Sequence, residues 1–192
     1  MMQSPHKDKE KRCVCVFCGS SFGNDAAYAE AAGRLGTLIA GHGMSLLFGG
    51  GGVGLMGETA RAVRAGGARV LGVLPAFLRY LEPPLEKGEE LEITPDLQQR
   101  KARMLALADA FVILPGGFGT LDEFFEVLTS AQLDVFKKPI VVVNTNGYFD
   151  LLRDLLAHIV LSGFASGESA ALCRFVATPE EAMEAINSSV RP

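Results

Sequence analysis

No stretch of the chain approaches the roughly 20 consecutive apolar residues that a membrane-spanning helix requires. The opening segment MMQSPHKDKEKR also lacks the apolar h-region of a secretory signal. These absences predict a soluble, cytoplasmic protein with a flexible tail over 1–12 and a single domain over 13–192. A basic excess is missing too: 18 Lys and Arg against 22 Asp and Glu give a formal charge of -4. Nothing therefore draws the chain as a whole to nucleic acid or to an anionic membrane, and any anion must be held locally. Cysteine is scarce, and Cys13, Cys15, Cys18 and Cys173 match no zinc spacing well. Cys13 and Cys15 alternate with Val14 and Val16 in strand fashion, so buried thiols and no metal site are expected. No internal repeat, low-complexity tract or linker breaks the chain. The one long irregular piece runs from Glu82 to Glu92, as a lid or as a solvated surface loop.

What is present is an alternation. Nearly half of the 192 residues are hydrophobic, enough to bury one sizeable core. Short apolar runs recur between helix-length segments: VCVF (14–17), MSLLF (44–48), RVLGVL (69–74), AFVIL (110–114), PIVVV (139–143) and RFVA (174–177), with a weaker run near Leu91 to Thr94. Bounded β-rich runs of this kind predict βαβ units. The fold class is α/β, a Rossmann-like doubly wound parallel sheet flanked by helices. In such sheets ligands bind beyond the carboxyl ends of the strands, which directs attention to the turns that follow each run.

Two of those turns are rich in glycine. FGGGGVGLMG contains G-x-G-x-x-G at Gly49, Gly51 and Gly54, but no acid follows before Glu82 to hold a dinucleotide ribose, and no Gly-Lys-Ser/Thr completes a Walker loop. What survives is backbone N–H groups free to approach an anion at a helix start, or glycines that merely allow a tight turn and close packing. The second turn, Pro115-Gly116-Gly117-Phe118-Gly119-Thr120, adds a hydroxyl. Two such turns at one sheet edge favour a nucleotide-sized ligand, with Ser20, Gly50, Gly51 and Gly116 among its candidate contacts.

Charges beside these turns fall in unexpected places. On a wheel at about 100° per residue, Leu97, Met104, Leu105, Leu107 and Ala108 form an apolar sector, and Arg100 and Lys101 fall inside it or at its edge. A core-directed cation needs an ion-pair partner or a ligand. In the next helix Leu121, Phe124, Phe125 and Leu128 form the apolar stripe, leaving Asp122, Glu123, Glu126 and Thr129 opposite. Acids in a first turn favour the helix dipole, yet they oppose a phosphate bound there. Glu123 is the candidate for separate work: a carboxylate near a nucleotide's sugar can stabilise an oxocarbenium-like transition state or activate water.

These motifs resemble those of the LONELY GUY family, the cytokinin riboside 5'-monophosphate phosphoribohydrolases, many of which have been labelled possible lysine decarboxylases. The resemblance runs through VFCGSSFG, GGGGVGLMG, QRKARM, PGGFGTLDE, AQL and KKPIVVVNTNGYFDLL, nearly the whole chain beyond the tail. It implies that Arg100 and Glu123 are the catalytic pair and that Lys101, Gly117, Phe118, Gly119, Thr120 and Thr129 contact substrate. Glu82 matches a further contact, although the loop around it differs from the plant form. Family members often carry Glu-Glu where this chain has Asp122-Glu123; the second acid is kept. The resemblance further implies a Rossmann-like fold, no metal or redox cofactor, a homodimer, and cleavage of the N-glycosidic bond of a nucleoside 5'-monophosphate into free base and ribose 5-phosphate. AMP and its N6-prenylated forms both remain open as substrates. Lysine decarboxylation would need pyridoxal phosphate on an active-site lysine, whereas Lys101 reads as an anion contact. A carrier that binds a nucleotide-like molecule without cleaving it, as molybdenum-cofactor carriers of similar fold do, is the alternative; it would not need the Arg100 and Glu123 pair.

Overall fold

Every apolar run read from the sequence becomes a strand. In the computed structural model, which describes residues 12–79 and 90–189, β1 (Cys13–Phe17), α1 (Ala26–Gly41), β2 (Ser45–Phe48), α2 (Gly54–Ala65) and β3 (Val70–Pro75) alternate strictly. They are followed by β4 (Glu90–Thr94), α3 (Leu97–Leu107), β5 (Ala110–Ile113), α4 (Phe118–Gln132), β6 (Ile140–Val143) and α5 (Asp150–Leu161). A short α6 (Gly167–Ala170), then β7 (Cys173–Val176) and α7 (Pro179–Ser188), close the chain. Residues 1–11, and with them most of the expected tail, lie outside the described residues, as do Glu82 and most of the irregular segment around it. No helix among the described residues is long and apolar enough to cross a membrane.

The strands form one seven-stranded sheet in the order β4-β3-β2-β1-β5-β6-β7, parallel throughout. Strand period two divides its side chains between two cores. Val14 and Val16 of β1 face a layer built by α1, α2 and α7, including Leu35, Ile39, Val63 and Ile186. Cys15 and Phe17 face the opposite layer, where Met104 of α3, Phe124, Val127 and Leu128 of α4 and Leu156 of α5 pack. Each such buried side chain contributes about 1.5–3 kcal/mol of hydrophobic stabilisation. The cysteines are part of this packing. Cys15, Cys18 and Cys173 are buried free thiols and Cys13 is half-buried; burial raises the thiol pKa of Cys15 and Cys18 and so makes both poor nucleophiles.

The helix starts separate into two kinds. Asp25, Asp96 and Thr178 accept a backbone N–H with their side chains and cap α1, α3 and α7. The helices after the glycine turns, α2 and α4, have no side-chain cap. The order in which successive strands are added reverses between β1 and β5, so the loops after these two parallel strands diverge and open a crevice at the carboxyl edge. Both glycine turns border that crevice.

Candidate active site

Gly19, at the end of β1, staples the two turns together. Its N–H donates to the Pro115 carbonyl at 3.0 Å, and its own carbonyl accepts from the amides of Leu55 at 3.1 Å and Met56 at 3.3 Å. The first donors of α2 are thereby occupied by the protein itself. At α4 the situation differs: Gly117 is the N-cap, and no backbone carbonyl among the described residues takes the amides of Gly117, Phe118 or Gly119. Orphan N–H groups with the positive end of a fifteen-residue helix behind them make an anion site. The expected pair of equivalent turns is thus one open helix start and one whose glycines chiefly permit close packing. Gly54, at φ +61°, leaves no room for any side chain beside the Ser20–Ser21 backbone.

Arg100 reaches this edge from α3. Its Nε donates to the Val73 carbonyl within β3, at 3.0 Å, and its Nη2 lies 3.0 Å from Glu123 Oε1. Gly49 is what lets it pass, since a Cβ at that position would collide with the guanidinium. The sequence placed Arg100 toward the core and so it is, with its side chain 13% exposed. Leu97, assigned to the same apolar sector, is instead exposed, and Met104 is the one residue of α3 that is fully buried.

Glu123 corrects the wheel more sharply. It lies in α4 just beyond the open amides and was read onto the polar side with Asp122 and Glu126, yet it is buried at 8% exposure. Thr120, Val127 and Ala131, outside the stripe read from the sequence, are buried too, so the buried face of α4 takes in Glu123, and Arg100 reaches the carboxylate from α3. The other two acids are absorbed by Lys101, whose Nζ is 2.5 Å from Glu126 and 3.2 Å from Asp122. The hydrogen bond that Lys101 donates to Glu126 holds its amine above the ordinary pKa, so it stays protonated. Acids that would oppose a phosphate at α4 are therefore balanced by a cation, and Glu123 is left with Arg100.

Burial pushes the Glu123 pKa up from 4.5 to about 7, against the opposing pull of Arg100 and with a further push from Asp122. A carboxyl poised there can exchange a proton near neutral pH. It also links stability to pH. Because the folded pKa is the higher one, the native state keeps a proton that the unfolded chain releases between pH 4.5 and about 7. Stability from this group is complete below that window and is lost as pH rises through it. Urea denaturation should therefore show Glu123→Gln gaining on the parent protein from the bottom of the window to the top, with no further change above it; an unchanging difference would mean that Glu123 is ionised throughout.

The remaining expected contacts divide by position. Thr120 is buried against Gly116, Gly117 and Gly119 are exposed, and Phe118 projects from the turn at 93% exposure. Ser20 is exposed in the turn after β1, whereas Gly50, at φ +80°, is buried against Leu74 and Leu91, and Gly51 is buried as well. Thr129 is not brought to the pair: it is exposed, six residues and about 9 Å further along α4 at 1.5 Å per residue. Glu82 lies outside the described residues. Gly19, Gly49 and the Val73 carbonyl act at the site without having been assigned a role in the sequence, because a backbone contact between distant loops leaves no pattern of its own. Between Ser21, Asn24, Tyr28, Gly116 and Tyr148 the crevice holds a cavity of about 200 Å³.

With this geometry in place, relatives can be compared. The family model described as "Possible lysine decarboxylase" matches residues 56–186. The cytokinin riboside 5'-monophosphate phosphoribohydrolase LOG7 of Arabidopsis thaliana is 46% identical over 160 residues, covering 83% of this chain and 73% of the relative. The probable cytokinin riboside 5'-monophosphate phosphoribohydrolase LOGL3 of Oryza sativa subsp. japonica is 39% identical over 192 residues, covering 99% of this chain and 91% of the relative. Among solved structures, a molybdenum cofactor binding protein from Rippkaea orientalis superposes with a TM-score of 0.72 at 22% identity, covering 95% of this chain and 99% of that one. A Moco carrier protein from Chlamydomonas reinhardtii gives 0.70 at 22% identity, covering 94% and 98%. At those identities the structural likeness speaks for the fold alone, whereas the family model and the sequence relatives agree with each other over most of the chain: it belongs to the LONELY GUY family.

Proposed function

We propose that this chain hydrolyses the N-glycosidic bond of adenine-type nucleoside 5'-monophosphates, AMP or its N6-prenylated cytokinin forms, to free base and ribose 5-phosphate. The observation that carries the proposal is the buried Arg100 and Glu123 pair, 3.0 Å apart, beside the open N-terminus of α4. The phosphate is held by the amides from Gly117 to Gly119 with the Thr120 hydroxyl, and Gly116 shapes the turn. Ser20, Gly50, Gly51 and Lys101 border it. Breaking the bond from C1' to the base nitrogen leaves positive charge on the sugar, which the Glu123 carboxylate stabilises while it directs water to C1'. Water supplies the C1 hydroxyl, and its proton ends on the departing base. Arg100, with Nε fixed on the Val73 carbonyl and Nη2 on Glu123, holds the carboxylate in place and turns its remaining N–H groups toward the ligand. Thr129 and Glu82 are kept as substrate contacts on resemblance alone.

A carrier of the same fold needs an anion site but not a buried acid that titrates near neutrality against a fixed arginine, and this favours the enzyme. Exposed Leu133, Val135, Leu151, Leu161 and Phe164 support a homodimer as the assembly. We further propose a single domain beyond residue 12 and a cytoplasmic location. Chromatographic assay of free base from AMP and from N6-isopentenyl-AMP tests the substrate class, and the ratio of the two kcat/KM values separates hormone activation from nucleotide salvage. Release from neither nucleotide sinks the proposal.

A further inference from the structure

The segment NTNGYFD after β6 is a motif that the mechanism above leaves unused. Its geometry reaches the second glycine turn: the Tyr148 hydroxyl donates to the Gly116 carbonyl at 2.6 Å. Across a trans peptide the carbonyl and the following N–H point in opposite directions. A bond that fixes the Gly116 oxygen on the Tyr148 side therefore fixes the Gly117 N–H away from it. That N–H belongs to the N-cap of α4 and has no acceptor among the described residues. A peptide between two glycines has little steric resistance to turning over. Turned over, it would present a carbonyl oxygen where an anion needs a donor.

The tether is itself held firmly. Asn146, in the left-handed region at φ 51°, donates to Asp25 at 2.8 Å, and Asn144 bonds both the Asp150 carboxylate at 2.8 Å and the Phe149 amide at 2.6 Å. The Tyr148 ring meets Tyr28 and Phe149 edge-on, with centroids 5.4 Å and 4.8 Å away. Asp25 and Tyr28 belong to the start of α1, so three loops at the crevice converge on one hydroxyl. On its other side Gly116 is closed in by Thr120 and Gly19.

We propose that Tyr148 is a positioning residue which locks the Gly116–Gly117 peptide in its anion-receiving orientation. The proposal rests on the phosphate site argued above. Tyr148→Phe, which keeps the ring and removes only the hydroxyl, tests it. Losing one hydrogen bond of this kind should raise the KM for AMP and the inhibition constant of ribose 5-phosphate together, by about five- to tenfold, with kcat within about twofold. In the ligand-free variant the Gly117 amide resonance should broaden as the peptide exchanges between two orientations. A lower melting temperature with unchanged KM, a fall confined to kcat, or a sharp Gly117 resonance would each overturn it. If the parent protein binds AMP and N6-isopentenyl-AMP but leaves both intact, the hydrolase reading fails on its own. The dissociation constants of AMP for the parent and Tyr148→Phe then decide the lock: a five- to tenfold rise upholds it, and equal values overturn it.

Discussion

Replacing Glu123 by glutamine is expected to lower kcat by about 10²- to 10⁴-fold, the range associated with loss of a general acid or base, while the fold and nucleotide affinity persist. Glutamine is nearly isosteric, so it can still accept a bond from Arg100 in the space where the carboxylate lies 10% exposed. It can neither take a proton from water nor carry the negative charge that meets a developing oxocarbenium ion. In the parent enzyme kcat/KM should climb through pH 7 as the buried carboxyl ionises, since its pKa is raised to about 7. The variant should lose that limb. Turnover within a few-fold of the parent would remove Glu123 from the chemistry. A loss of nucleotide binding equal to the loss of turnover would make it a binding residue instead.

Arg100→Ala should be the more damaging change, lowering kcat/KM by about 10³-fold or more, as expected when a preorganised charge in a water-poor site is deleted. Two effects combine. The ligand loses a cation, and Glu123 loses the one group that holds its pKa down most, so the carboxyl stays protonated further into the neutral range. The acid limb of the surviving activity should accordingly move to higher pH. Arg100→Lys should recover little, because one ammonium cannot both bond the Val73 carbonyl and lie against Glu123 as the planar guanidinium does. If Arg100→Ala lowers only the melting temperature, the pair is a structural ion pair and no more.

How much of this was legible in the sequence follows from what each feature depends on. Strands buried on both faces write themselves as apolar runs, so β1, β2, β3, β5 and β6 were plain, and the two edge strands also stood where the sequence suggested, β7 at its shorter run and β4 near Leu91 to Thr94. Arg100 betrayed itself by lying on the wrong face of its helix. Glu123 did not, because the stripe of Leu121, Phe124, Phe125 and Leu128 leaves out Val127 and Ala131, which with Thr120 turn the buried face of α4 toward Glu123. The inequality of the two glycine turns was hidden because it depends on where the Gly19 carbonyl points. The same holds for the Tyr148 hydroxyl, whose partner lies 32 residues away. Thr129, a contact that the resemblance alone implies, is exposed six residues beyond Glu123 on α4.

The most direct test of the account is a single-turnover experiment with enzyme in excess over AMP or N6-isopentenyl-AMP and no added metal, quenched and assayed for free base and ribose 5-phosphate. The account predicts equimolar release of both from at least one nucleotide by the parent protein, and bound but uncleaved nucleotide with Glu123→Gln. Intact nucleotide recovered in full from the parent, or equal cleavage by the variant, would contradict it.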